Sequence, residues 1–428
     1  MCGIAGLVDL NGGPSKRVFH LHFAPRLLPN CPQHDSGPNA KSFAPANSSG
    51  EASLERGRSR DDYHMRETKR DVTSVLRFGA KPDESGTCGE TFSPGITVCV
   101  LTYRRAASVR RFLDSLALQT RHPEAVVIVD ASPDEETEGA LCRRSDLEGL
   151  AKQISYFRVA GKLKGLPRQR NFALRWVKTD LVAFFDDDIV LHANCLGLLE
   201  QALRAPEYAD AIAACCYIRN EAYASLPLLW RIRKALRLYR PEHAGFCHPC
   251  GISIPQKLIA PFEGVRMVDL APGGATCWRN TVFASCSFDE SMAGCARGED
   301  VEFSLKSRPL GRKLLVGGAQ VEHLHATDSR LSPFQYGFQC AVGTGLIRRR
   351  YGSRRLRHRC QFWVWQGVDM VMLLAGGLRG VTFTPIAQAL GRLYGFLHGM
   401  LRPHESETGR VPPPLKGRLS PLLPTTDK

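Results

Sequence analysis

No stretch of this 428-residue chain reaches the run of about 18 uncharged apolar residues that a membrane-spanning helix needs. The first residues, MCGIAGLVDL, have neither a basic n-region nor a long apolar h-region. That predicts no secretory signal, a cytoplasmic chain, and fifteen cysteines that stay reduced. The one CxxC, Cys247-His248-Pro249-Cys250, lacks a second CxxC or HxxxH at zinc-finger spacing, so it reads as buried or loop thiols. Between Glu51 and Arg70 apolar anchors are few. Acidic residues are outnumbered by 57 basic to 42 acidic, giving a net charge of +15 and a pI near 9.3. Such a surplus attracts something anionic: a nucleotide diphosphate, a membrane surface or nucleic acid. The arginines cluster late in the chain without aromatics interleaved as on a base-stacking platform, which weighs against nucleic acid.

What is present is a 43% hydrophobic composition, enough for a sizeable core, and one organising stretch, LVAFFDDDIV from Leu181 to Val190. The apolar run Leu181–Phe185 predicts a buried strand that stops where Asp186, Asp187 and Asp188 begin. Strand alternation turns Asp186 and Asp188 one way and Asp187 the other. Two carboxylates side by side repel, and a hard cation, Mg2+ or Mn2+, removes that repulsion. A solvated acidic turn is the plainer alternative on spacing alone.

Order is expected to begin near Ile96. Ile96–Leu101 reads as a strand, and Val109, Phe112, Leu113 and Leu116 recur at helical spacing. Ala125–Val129 is the next strand, ending in Asp130. This βαβ pattern implies a parallel sheet. Ile154–Val159 is a third strand, and Gly165-Leu166-Pro167 opens a helix through Lys178. In open α/β sheets ligands bind outside the carboxyl ends of the strands. Residues 14–93 read as low-order chain.

ITVCVLTYRR, VVIVDAS, GLPRQRNFAL and FFDDDIV, followed by GGATCWRNTVFASCSFDESMAGCARGEDVEFSLK, stand in an order and at separations that resemble glycosyltransferase family 2. The resemblance spans about residues 95–330. It implies the α/β GT-A fold: Rossmann-like, a mostly parallel sheet with helices on both faces. It implies a metal-dependent, inverting transfer of a sugar from a nucleoside-diphosphate-sugar (UDP- or dTDP-sugar) to an acceptor hydroxyl. The acceptor would be a saccharide or a lipid-linked molecule, in surface polysaccharide or glycolipid synthesis. Separately, Met-Cys-Gly-Ile-Ala-Gly resembles the start of class II glutamine amidotransferases, whose nucleophile would fall on Cys2. That family's Arg-Gly-Pro-Asp segment is absent downstream.

The family likeness assigns Asp130 to the nucleotide base, where a helix cap or Asx-turn is the plain alternative. Thr102, Tyr103 and Arg104 border the same pocket. Arg170 is assigned to the diphosphate, whose geometry suits a guanidinium fork, and Lys164 adds a charge in the loop before it. Asp188 touches the metal, and Asp186 holds ribose or a metal-bound water. Asp187 is counted with the donor-binding residues, and His323, in the run Val321–His325 read as a strand with two histidines on one face, adds a metal or phosphate contact, against the plain reading of a half-buried histidine. Glu299 positions the acceptor and Asp300 is the general base, against the plain reading of the pair as a helix cap. Past Arg330, Arg348–Arg350 and Arg354–Arg359 form a basic run beside Phe362-Trp363-Val364-Trp365. That predicts either peripheral contact with an anionic membrane at the inner face of the plasma membrane or a solvated basic helix. The expected layout is a disordered N-terminal segment over 1–94, the catalytic domain over 95–330, a helical region over 331–401 and a Pro-rich tail over 402–428. Two rival functions remain: a non-catalytic basic membrane- or nucleic-acid-binding protein on a nucleotide-binding fold, and a glutamine amidotransferase fragment working through Cys2.

Overall fold

The computed structural model describes residues 71–79, 92–294, 297–326, 331–380 and 382–401. The amidotransferase-like start with Cys2, the charged stretch Glu51–Arg70 and the Pro-rich tail lie outside the described residues.

The strands are β1 (Val72–Gly79), β2 (Ser93–Thr102), β3 (Ala125–Asp130), β4 (Gln153–Val159), β5 (Thr179–Asp186), β6 (Ile189–Leu191), β7 (Ala211–Ile218), β8 (Val265–Val268), β9 (Ala275–Arg279) and β10 (Arg312–His323). They form one sheet in the order β1-β4-β3-β2-β5-β9-β7-β10-β6, with β8 also on β10. The run β4-β3-β2-β5 is parallel, and antiparallel strands extend it on both sides. The helices labelled here are α1 (Ala106–Ala117), α2 (Glu136–Cys142), α3 (Leu166–Leu174), α4 (Cys195–Arg204), α5 (Leu228–Ala235), α6 (Glu299–Lys306), α7 (Pro333–Tyr351), α8 (Leu356–Gly380) and α9 (Phe383–Leu401).

β2 shows why the sequence takes this form. Its apolar run is continuous rather than alternating because both faces are covered, as in a parallel sheet packed between helices. Ile96, Val98 and Val100 join the layer of Phe112, Leu113 and Leu116 from α1 and Leu196 from α4. Cys99 and Leu101 join the opposite layer with Phe172 of α3, Trp230 of α5 and Trp365 of α8. Each fully buried Phe or Leu on α1 contributes about 1.5–3 kcal/mol.

Two boundaries differ from expectation. β1 forms within the stretch read as low-order and pairs antiparallel with β4. It is an edge strand with alternating, half-buried side chains and an exposed Arg77, so its apolar signal is diluted. α3 ends at Leu174, not Lys178, because Thr179 is already paired with Ser93 in the sheet and Asp180 accepts from Gly95 N at 2.7 Å.

The helical region after Arg330 starts with a capping box between Ser332 and Gln335. α7 and α9 lie so close that a Cβ added at Gly337 or Gly391 would overlap a carbonyl of the facing helix. The region is pinned to the sheet layer by buried Asp369 of α8, which is ion-paired with Arg233 of α5 and, at 3.1 Å, with Arg392 of α9. The Arg233 guanidinium also stacks on Trp230 and Trp365. No described helix is long and apolar enough to cross a membrane.

Candidate active site

Register brings the rim of the site together. Thr102 is the pairing partner of Asp130, and Leu101 that of Asp186, so the carboxyl ends of β3, β2 and β5 stand in a row. Gln169 of α3 ties this rim to its own helix by donating to the carbonyls of Thr102 and Val129 at 3.3 and 3.0 Å. The next residue, Arg170, is thereby held against the same rim.

The three aspartates part ways. β5 ends at Asp186, and Asp187-Asp188 form a turn into β6. Asp187 is buried and faces inward: it accepts from Thr102 Oγ1 at 2.6 Å and from Arg105 Nη1 at 3.1 Å. Burial pushes its carboxyl up to about 6, against the opposing pull of those two donors. It braces the turn, where the sequence placed it among the donor-binding residues. Asp188 faces His323, with 3.0 Å between Oδ1 and Nε2, and accepts from Ala326 N at 3.0 Å. Burial raises its pKa, but the hydrogen bond and charge of His323 outweigh that and hold it well below the usual carboxylate range.

Asp186, Asp188 and His323 each offer a ligand atom, and these atoms lie within 4.8 Å of one another. A turn, not strand alternation, sets Asp188 beside Asp186, yet the expected pairing results. Gly274 makes room for it: an added Cβ there would fall on the Asp186 carboxylate, and one at Gly273 would crowd the Arg170 guanidinium. Two carboxylates and an imidazole so arranged fit a divalent cation.

His323 is held from behind by residues that the sequence alone did not single out. Asn220 clamps its backbone, accepting from His323 N at 2.9 Å and donating to His323 O at 2.8 Å. Glu221 lies 2.8 Å from its Nδ1. Burial works against the ring's charge, but the two carboxylates raise its pKa to about 9. Both clamps sit on a short 3-10 turn, Arg219–Glu221, about a hundred residues upstream, and only the parallel pairing of β7 with β10 brings them there. The run Val321–His325 does not remain a strand: β10 ends at His323, and His325 has φ 52°. Its ring still lies 4.0 Å from that of His323, and Glu221 also meets it at 3.3 Å. Cys247 and Cys250 belong to no group of three metal-capable side chains among the described residues.

On the other side of Arg170 stands the acidic pair of α6. Gly298 takes the left-handed backbone, φ 93°, that turns the chain into the helix. Glu299 and Asp300 are both buried, and Glu299 Oε1 pairs with Arg170 Nη1 at 3.2 Å. Burial raises the Asp300 carboxyl and the Glu299 charge raises it further, to about 7, with Arg170 opposing. Arg170 thus sits between the two acidic groups, its ring-facing side on Phe288 at 5.2 Å.

Asp130 is fully buried, and its carboxylate accepts from Ser132 N at 2.7 Å, from the Ser132 hydroxyl and from Tyr156 at 3.0 Å. This is the Asx-turn arrangement that the Asp-Ala-Ser-Pro setting allowed. Tyr103 is exposed; Arg104, with φ 54°, stacks on it at 5.5 Å and lies 4.0 Å from Asp134. Lys164 is exposed in the loop before α3.

Residues 97–260 match the family described as glycosyl transferase family 2. The match covers the strand ends and the acidic turn, and it stops before Gly273, α6 and His323. The comparison with curated proteins finds no match. Among solved structures, a mannosyltransferase from Pyrobaculum calidifontis in complex with GDP-Man and Mn2+ is similar at 16% identity and a TM-score of 0.45, over 71% of this chain and 88% of that one. S. aureus TarS 1–349 in complex with UDP is similar at 15% identity and a TM-score of 0.38, over 72% and 91%. The likeness of this chain to glycosyl transferase family 2 thus rests on residues 97–260.

Proposed function

We propose that the protein is a metal-dependent, inverting glycosyltransferase that moves a sugar from a UDP- or dTDP-sugar to an acceptor hydroxyl. The observation that carries this reading is the gathering of Asp186, Asp188 and His323 within 4.8 Å, with Arg170, whose charge acts on Asp186, paired to Glu299 of the buried Glu299–Asp300 pair. Asp186, Asp188 and His323 would hold Mg2+ or Mn2+. When bound, the cation screens the charge that gathers on the departing diphosphate. Arg170 brings fixed positive charge to the same place, and Glu299 holds it there. Tyr103, Arg104 and Lys164, exposed beside the same strand ends, would edge the nucleotide side, with buried Thr102 and Asp130 bracing it from within.

Asp300 takes the proton of the acceptor hydroxyl. That oxygen forms its bond to the anomeric carbon as the bond from carbon to diphosphate oxygen breaks, and a single displacement of this kind inverts the centre. A carboxyl pushed up to about 7 suits a general base near neutral pH. The biological setting, surface polysaccharide or glycolipid synthesis, is part of the same reading.

The test is nucleoside diphosphate release from a panel of UDP- and dTDP-sugars with Mn2+ and a set of saccharide acceptors. Release that needs the metal and is lost in both Asp188→Ala and Asp300→Ala supports transfer. Release indifferent to chelator, or unchanged in either variant, defeats it.

A further inference from the structure

The basic run from the last turn of α7 into the first turns of α8 divides in two. Arg350 is spent inside the protein, on Asp289 at 2.6 Å and Glu302 at 3.0 Å, and Arg348 lies over Phe362. Arg354, Arg355, Arg357 and Arg359 are exposed. No acidic residue among the described ones pairs with any of these four. From residue 331 to 401 the chain has nine arginines and one carboxylate, Asp369, which is buried and paired.

α8, whose first turn carries Arg357 and Arg359, exposes Leu356, Trp363, Val364, Val371, Leu374 and Leu378. Their spacing of seven, one, seven, three and four residues keeps all six on one face of a helix with 3.6 residues per turn. At 100° per residue, Arg357 and Arg359 flank that face on either side. α9 exposes Phe383, Leu390, Leu393, Tyr394 and Leu397, again on one face, while its single arginine, Arg392, is turned inward to Asp369. Leu378 is 75% exposed and Phe383 84% exposed. In a soluble monomer, exposed apolar residues are normally scattered; two adjoining helices with uncharged apolar outer faces mark an interaction surface.

We propose that the outer faces of α8 and α9 form a docking surface for an anionic lipid bilayer, with the helices lying in its interface and the four arginines on lipid headgroups. A dry apolar stripe edged by arginines is the form of an interfacial helix, whose long basic side chains reach the headgroups while the apolar side chains enter the acyl boundary. A stripe on the helix surface, rather than apolar residues all round, matches a helix that lies on a membrane without crossing it. The charge settles the kind of lipid: a surface with no exposed carboxylate and five exposed arginines, these four and Arg379 near the end of α8, is attracted to negative headgroups. The surface stands independently of the transfer chemistry. α7, which packs against α9, also meets the site helix, since Arg350 of α7 is bonded to Glu302 on the helix that carries Asp300.

The test is flotation of the full chain with vesicles of phosphatidylcholine, with and without phosphatidylglycerol, alongside light scattering. The wild-type protein is expected to float with the anionic vesicles, less with the neutral ones, and to be released by salt. Replacing Arg354, Arg355, Arg357 and Arg359 by Gln should remove the preference for anionic vesicles, at roughly fivefold per charge near the surface. These positions are exposed, so that variant also serves where an apolar variant fails to fold. Leu378→Ser with Phe383→Ser and Leu397→Ser should abolish flotation with either vesicle. A wild-type chain that stays in the soluble fraction with anionic vesicles at low salt overturns the proposal. So does an apolar triple variant that turns a dimer into a monomer without changing flotation, which would assign the face to a second copy of this chain.

Discussion

Glu221 Oε1 lies 2.8 Å from His323 Nδ1, and the other nitrogen of the same ring faces Asp188 Oδ1 at 3.0 Å. The carboxylate fixes which nitrogen of His323 points at the acidic turn, because a carboxylate can only accept and Nδ1 must then carry the proton. An oriented imidazole of this kind is a better metal ligand than a rotating one.

That relationship predicts a graded loss of metal. Glu221→Ala is expected to weaken Mn2+ affinity by about 10–100-fold, the usual effect of removing a group that orients a metal-bound histidine. Glu221→Gln, which can still accept from Nδ1, should lose less. Mn2+ titration followed by electron paramagnetic resonance reads this without any turnover. Equal affinity in wild type and Glu221→Ala would remove His323 from the metal site or Glu221 from its support.

Gly274 supplies a second route to the same site. The added Cβ of Gly274→Ala overlaps the Asp186 carboxylate and must displace it. Mn2+ binding and donor turnover are expected to fall together, while the thermal midpoint changes little, because the collision is with a side chain at the rim. Full Mn2+ affinity in Gly274→Ala would show that Asp186 is not a ligand.

Asp300→Asn should lower kcat by about 10²–10⁴-fold, the range for losing a general base. Donor binding, measured by calorimetry, should stay near the wild-type value. The wild-type pH profile carries the sign. A base works ionised, and burial with the Glu299 charge raises this carboxyl to about 7. Activity is therefore expected to fall as pH drops below about 7, well above the ordinary range for an aspartate, and that acidic limb should vanish in the residual activity of Asp300→Asn. An acidic limb near pH 4 would contradict the role.

Stability offers a test away from the chemistry. Asp369 is buried between Arg233 and Arg392. Arg233→Ala leaves that carboxylate short of a partner in a low-dielectric setting and also strips the cation from between Trp230 and Trp365. Breaking a buried pair costs about 3–5 kcal/mol, to be read as a lower denaturant midpoint. A shift of less than about 1 kcal/mol, the worth of an exposed pair, would mean that the helical region is not fixed to the sheet layer through this contact.

The sequence by itself determined the catalytic half of the sheet and most of the acidic site. Continuous apolar runs at Ile96–Leu101 and Leu181–Phe185 dictate strands buried on both faces, and an apolar run ending in aspartates dictates carboxylates at the strand end. These signals are local, so they survive in a one-dimensional reading. The edge strand β1 was hidden because half its side chains face solvent. Only the tertiary structure decided that Asp187 turns inward to Thr102 and Arg105, that Asp130 is bound by Ser132 and Tyr156, and that Glu221 and Asn220 hold His323. Each of these depends on a partner brought near by strand pairing or a turn, and no composition or period in the sequence encodes which residue lies across a strand ladder. The arginines from the end of α7 to the start of α8 make the same point: they read as one basic run, and the fold alone separates Arg350, bonded inward, from Arg354, Arg355, Arg357 and Arg359, which face out at the start of α8.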